Sequence, residues 1–138
     1  MSAWDELRIQ GSTTGLTAHD LVTQGFPGGD ARALLEALTY IDEASLCIVL
    51  DTSLRRFHLR LKRSNMRLTC GESDALMRFL STMNMAIQVL GSQFEAEKWL
   101  SEPPIGMNQR KPLDLLRSTE GTKMVQLLLS RMEYGVYA

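Results

Sequence analysis

The run from Thr69 to Gly91 constrains this fold more than any other stretch of the chain. Thr69 and Glu72 stand three apart, the spacing at which a hydroxyl and a carboxylate satisfy each other's backbone amides at a helix start. Leu76, Phe79, Leu80, Met83, Ala86, Ile87 and Leu90 then recur at three- and four-residue steps, and Gly91 supplies a helix end. A helix over about residues 72–90 would be ~28 Å long. It would carry one apolar stripe that other elements must cover.

Those elements read as helices too. Ser92 and Glu95 repeat the capping spacing before a short helix over 94–100 that carries Trp99. Pro112 starts a single turn over 113–117, because its missing N–H is no loss at a first helical position. Thr119 caps a last helix running to about Glu133, with Met124, Val125, Leu128, Leu129 and Met132 expected inward. Nearer the N-terminus, Thr17 is expected to cap a helix over 18–24 that Gly25 and Pro27 end. Asp30 opens another through Thr39, with Leu34, Leu35 and Leu38 on its buried face. Residues 1–15, polar and glycine-containing, read as a frayed or partner-dependent start. The run Ser45–Leu50 has strand character locally, but the helical period continues through Leu54, Phe57 and Leu61. The expected class is all-α, divided into residues 1–71 and 72–138.

Composition narrows the function. Cys47 and Cys70 are the two cysteines, without close spacing, and His19 and His58 are the two histidines, so no metal site or cofactor is expected. Cys47, inside the apolar run 46–50, is expected in the core, His58 in packing and His19 at the surface. Gly28-Gly29 lacks the surroundings of a phosphate loop, and no nucleophile is paired with a base, so the chain is not expected to be an enzyme. The start is acidic, and no stretch has the length and apolarity of a membrane span. A cytoplasmic, non-membrane protein is the expectation.

The net charge of −1 conceals an asymmetry. Residues 1–51 carry eight acids against Arg8 and Arg32, whereas residues 52–71 carry Arg55, Arg56, Arg60, Lys62, Arg63 and Arg67 with no acid. Residues 43–63 fit two short helices joined by a tight turn, the second one basic. At 100° per residue Leu54, Phe57 and Leu61 share one face, while Arg55, Arg56, Lys62 and Arg63 spread over the other with Leu59 among them. That is what a recognition helix needs: an apolar ridge to seat it and guanidinium groups to reach phosphates and base edges. Ser53 and Arg55 are best placed for bases, Arg56 lies on the same exposed side, and Leu59 can meet a thymine methyl. Arg60, Arg63 and Arg67 are assigned to phosphates. Asp51 occupies the turn where glycine is the common choice, and can instead serve as the cap of the second helix.

The last forty residues are the most specific. Ala96-Glu97-Lys98-Trp99-Leu100 is followed by a loop with Pro103-Pro104 and Gly106, then Lys111-Pro112-Leu113-Asp114-Leu115-Leu116, and finally Arg131-Met132-Glu133-Tyr134-Gly135-Val136-Tyr137-Ala138. Three motifs in this order resemble the Xre/MbcA/ParS-type antitoxins, closely over about residues 84–138 and more loosely back to about residue 40. The resemblance implies an Xre-like helix-turn-helix domain followed by a small helical toxin-binding domain. It implies as partners a RES-domain toxin that consumes or transfers from NAD, operator DNA, and a second copy in a homodimer. It assigns the blocking of the toxin's active site to Arg131, Glu133, Tyr134, Gly135, Tyr137 and Ala138. Independently of it, Gly135 suits a left-handed helix end, and the two tyrosines suit an interface. Trp99 and Pro112-Leu113 read as scaffold, with Trp99 packing the loop against the last helix. A stand-alone helix-turn-helix regulator without a toxin partner is the competing reading.

Overall fold

The computed structural model of the chain describes residues 3–62, 66–102 and 109–135. Its centre is the long capped helix expected from the sequence, α6 (Cys70–Leu90), with the full capping box: Thr69 accepts from the Glu72 amide and Glu72 accepts from the Thr69 amide. Gly91 closes it in the left-handed conformation, φ 97°. Leu76, Phe79, Leu80, Met83 and Ala86 are fully buried along it.

Around α6 stand α1 (Ala3–Gln10), α2 (Gly15–Gln24), α3 (Gly28–Ala37), α4 (Glu43–Val49), α5 (Leu54–Lys62), α7 (Gln93–Ser101), α8 (Pro112–Leu115) and α9 (Thr119–Glu133). The described residues are helical without a named strand, so the all-α expectation holds; an isolated antiparallel bridge joins Pro27 to Arg67. Helix α6 packs against α1, α2 and α4 from the first half of the chain and against α7 and α9 from the second. One buried cluster therefore runs from Leu7 to Leu129. No helix among the described residues is long and apolar enough to cross a membrane.

Several local expectations are corrected. Residues 3–10 are not frayed: α1 buries Leu7, and its polar residues reach across the fold. Trp4 Nε1 donates to Gln93 Oε1 at 3.0 Å, Arg8 Nε donates to Asn84 Oδ1 at 3.1 Å, and Asn84 Nδ2 donates to the Arg8 carbonyl at 2.6 Å. Gly11 then lets the end of α1 lie on α6, where a Cβ would come within 2.6 Å of Leu80 Cβ. Partners more than seventy residues away hold a segment whose own pattern is weak. Helix α2 starts at Gly15 rather than Ala18, with Thr14 in the cap position in place of Thr17. Helix α3 starts after Pro27 and stops at Ala37, short of Thr39, because the amides of residues 39–41 are taken by the Glu97 carboxylate. Ser118, one residue before the expected Thr119, caps α9 by accepting from the Gly121 amide at 2.9 Å.

Glu97 ties the two halves together. It is completely buried in α7, and Oε1 accepts from the backbone amides of Thr39, Tyr40 and Ile41 at 3.0, 2.8 and 3.0 Å. Oε2 accepts from Thr39 Oγ1 at 3.3 Å and from Gln93 Nε2 at 2.9 Å. A buried carboxylate needs this density of donors, and here they come from the backbone of the α3–α4 connection.

Candidate functional site

Two surfaces carry the residues singled out in the sequence. The first is the α4–α5 pair. Asp42 caps α4 by accepting from the Ser45 amide at 2.8 Å; the Ser45 hydrogen bonds hold its carboxyl below the ordinary 3.8. The turn after α4 is a Schellman motif. The Thr52 amide donates to the Cys47 carbonyl at 3.0 Å, and the Asp51 amide donates to the Ile48 carbonyl at 3.1 Å. Asp51 stands at φ 54°, the left-handed conformation that explains why glycine is common there; aspartate is among the few other residues that adopt it readily. It is therefore the closing residue of α4, not the cap of α5. That cap is Ser53, whose Oγ accepts from the Arg56 amide at 3.1 Å.

Helix α5 is seated by Phe57, which is fully buried, and by half-buried Leu61. Leu54, expected on the same ridge, is 46% exposed, since it is the first residue of the helix and lies at its outer end. Arg55, Arg56 and Leu59 are brought together on the exposed side, with Ser53 at the start of the same helix. The Arg60 side chain and Arg63 lie outside the described residues. Arg67 stands apart: it comes after α5, in the bridge with Pro27, and its Nη1 donates to the Gly25 carbonyl at 2.8 Å. Burial raises the nearby Asp30 carboxyl despite the opposing pull of the Arg67 guanidinium. His58 is not a packing residue; it is exposed and pairs with Glu43, linking α5 back to α4. The Arg32 guanidinium donates to the Leu61 carbonyl near the end of α5.

The second surface is α9 together with Tyr134 and Gly135 at its end. Val125, Leu128 and Leu129 face α6 as expected, but Met124 is turned outward and is 55% exposed. With Leu127 at 53% and Tyr134 at 77%, and with exposed Arg131 between them, it forms one line along the outer face. Tyr134 therefore faces solvent. Gly135 has φ 70°, the left-handed end expected of it, and its amide donates to the Met132 carbonyl at 3.2 Å. Glu133 is exposed, and its Oε1 accepts from Gln88 Nε2 on α6 at 3.3 Å. Tyr137 and Ala138 lie outside the described residues, as does the proline loop at 103–108. Trp99 is half-buried against the core.

Met124 and Leu127 as members of this exposed line, and the cation beside the α4–α5 turn, Arg117, escaped the sequence reading. The line had a legible signal in the three- and four-residue steps joining Met124, Leu127, Arg131 and Tyr134. The placing of Arg117, 3.8 Å from Asp51, had none, because it arises from the packing of α8 on α4. Among the described residues no three His, Cys, Asp or Glu side chains are placed to hold a metal ion.

The last helix of this all-α body thus presents an apolar line and an outward tyrosine on its exposed face. The chain matches, over residues 85–135, the family described as the antitoxin Xre/MbcA/ParS C-terminal toxin-binding domain. It is similar to an antitoxin Xre from Yersinia enterocolitica, with 34% identity over 73 residues, covering 52% of this chain and 49% of that protein. It is also similar to an antitoxin Xre from Pseudomonas putida, with 29% identity over 119 residues, covering 85% of this chain and 71% of that protein. The match thus spans about half the length of the first relative.

Proposed function

We propose that this chain is the antitoxin of a toxin–antitoxin pair, and that it neutralises a RES-domain toxin acting on NAD by laying the end of α9 over the toxin's active site. The observation that carries this reading is the exposed line Met124, Leu127, Arg131 and Tyr134, which lies inside the segment matched to a toxin-binding domain. A tyrosine anchored on a well-formed helix presents a large contact area at low entropy cost, and an exposed arginine offers a bidentate fork to a carboxylate. Arg131, Glu133, Tyr134 and Gly135, with Tyr137 and Ala138 beyond them, form the blocking element. Residues 72–138 carry the toxin-binding role and residues 1–71 a helix-turn-helix that reads operator DNA as a cytoplasmic homodimer, so that the pair represses its own promoter. Ser53, Arg55, Arg56, Leu59, Arg60, Arg63 and Arg67 form the proposed DNA-contacting set, with α5 in the major groove.

The test is co-expression with the neighbouring toxin, scored as growth, for the full chain and for a version ending at Met132. The truncation leaves the buried Val125, Leu128 and Leu129 in place, so its fold is expected to persist. Rescue by the full chain and failure of the folded truncation support the reading. Equal rescue by both moves neutralisation to the body of the domain. Failure of both, with promoter binding intact, replaces the antitoxin by a stand-alone regulator.

A further inference from the structure

A cleft of about 380 Å³ lies beside the α4–α5 turn, and one of its walls comes from the other half of the chain. Asp51, Ser53 and Arg56 line it from the turn and from α5; Arg117 lines it from the turn between α8 and α9. Arg117 is delivered there because α8 packs on α4, with Leu113 and Leu116 buried beneath it. Its backbone is also held, since its carbonyl accepts from Arg78 Nη2 at 3.4 Å. Its side chain is exposed. Arg117 Nη2 is 3.8 Å from Asp51 Oδ1, and the two side chains are 58% and 84% exposed. An ion pair so long and so wet contributes little, so the guanidinium can exchange the carboxylate for another anion at small cost.

We infer that this anion is a backbone phosphate of the duplex read by α5, and that Arg117 makes a DNA contact from within the toxin-binding half of the protein. The inference rests on the proposed DNA-reading role of α5 and extends it to a residue outside residues 43–67. On the circumference of α5, Arg56 lies to one side of Arg55 and Leu59, toward the cleft. When a helix lies in the major groove, its flanks face the phosphate strands that wall the groove. Arg56 and Arg117 therefore stand together where one such strand passes. Asp51 partly neutralises Arg117 in the free protein and gives it up on binding.

The experiment measures binding of the full-length protein to its own promoter fragment across a salt series, for the wild type, Arg117→Ala, Arg117→Lys, Arg56→Ala and Asp51→Asn. Each phosphate contact contributes about 0.9 to the slope of log affinity against log salt. Arg117→Ala is expected to make the slope shallower by about 0.9 and to weaken specific and scrambled DNA by the same factor. Arg117→Lys is expected to keep the slope, because it keeps the charge. Asp51→Asn, which tolerates the left-handed turn, is expected to tighten binding. An unchanged melting temperature for Arg117→Ala separates these effects from folding. If the wild type binds and Arg56→Ala weakens it while the Arg117→Ala slope equals the wild-type slope, the inference is overturned and the reading of α5 stands. If the wild type does not bind promoter DNA even at low salt, both are overturned.

Discussion

Changing Glu97 to glutamine alters one atom at the junction between α7 and the α3–α4 connection, and the structure allows its cost to be worked out. Oε1 takes three backbone amides at 2.8–3.0 Å. A hydrogen bond to a charged group is worth about 1 kcal/mol more than a neutral one, so loss of the charge weakens the three by roughly 3 kcal/mol in total. The new amide nitrogen then replaces Oε2, where Gln93 Nε2 is donating at 2.9 Å. Gln93 cannot rotate to accept, since its Nε2 also donates to the Ala37 carbonyl at 2.8 Å and its Oε1 accepts from Trp4 Nε1 at 3.0 Å. One buried donor is left unpaired, at a further cost of about 1–2 kcal/mol. Relief from burying a charge returns part of this. The net destabilisation is about 3 kcal/mol, a fall in melting temperature on the order of 10 °C for a chain of this size. Thermal unfolding followed by circular dichroism reads the total, and amide exchange at residues 39–41 reads the site. Those amides should lose protection before the rest of α3. A fall of less than about 3 °C, with residues 39–41 still protected, would refute the account of Glu97 as the tie between the two halves.

Substitutions at other single residues test other parts of the fold. Asp42→Ala should cost about 1 kcal/mol at neutral pH through loss of the α4 cap. The Asp42 carboxyl is lowered on folding, so its stabilisation is present above its ordinary value of 3.8 and is lost as pH falls through the folded value; denaturation curves of the two proteins should converge in strong acid. Cys70 is exposed, whereas burial, with Glu43 and Glu72 nearby, pushes the Cys47 thiol up to about 11. Iodoacetamide at mildly alkaline pH should therefore label Cys70 in the native protein and reach Cys47 after denaturation; native labelling of Cys47 would contradict its burial. Gly121→Ala would bring a Cβ to 2.1 Å from the Leu115 carbonyl oxygen, and should destabilise by about 1–3 kcal/mol as α8 and α9 separate. Gly29→Ala meets nothing within 4 Å and should leave stability unchanged or raise it by up to about 1 kcal/mol, which a comparison of melting temperatures decides.

The sequence by itself determined whatever is written in periodicity and capping. Helix α6, from the Thr69–Glu72 box to Gly91, obeys a local rule, because the residues that start, bury and stop it are its own. The same holds for Pro112 at the start of α8, for Cys47 in the core, for Phe57 seating α5 and for the left-handed Gly135. The family match over residues 85–135 was legible for a similar reason: its motifs are short and ordered along the chain. Only the tertiary structure decided the features whose partners lie far apart in sequence. Helix α1 is ordered through Gln93 and Asn84, α3 ends where Glu97 claims the next amides, and His58 turns out to Glu43. The outward phase of Met124 is set by how α9 rests on α6, and Arg117 reaches Asp51 through the packing of α8 on α4. A helix can be inferred from its own residues because its hydrogen bonds close within four positions. A buried carboxylate or a cation at a distant turn cannot, because its partners are chosen by the packing of whole helices.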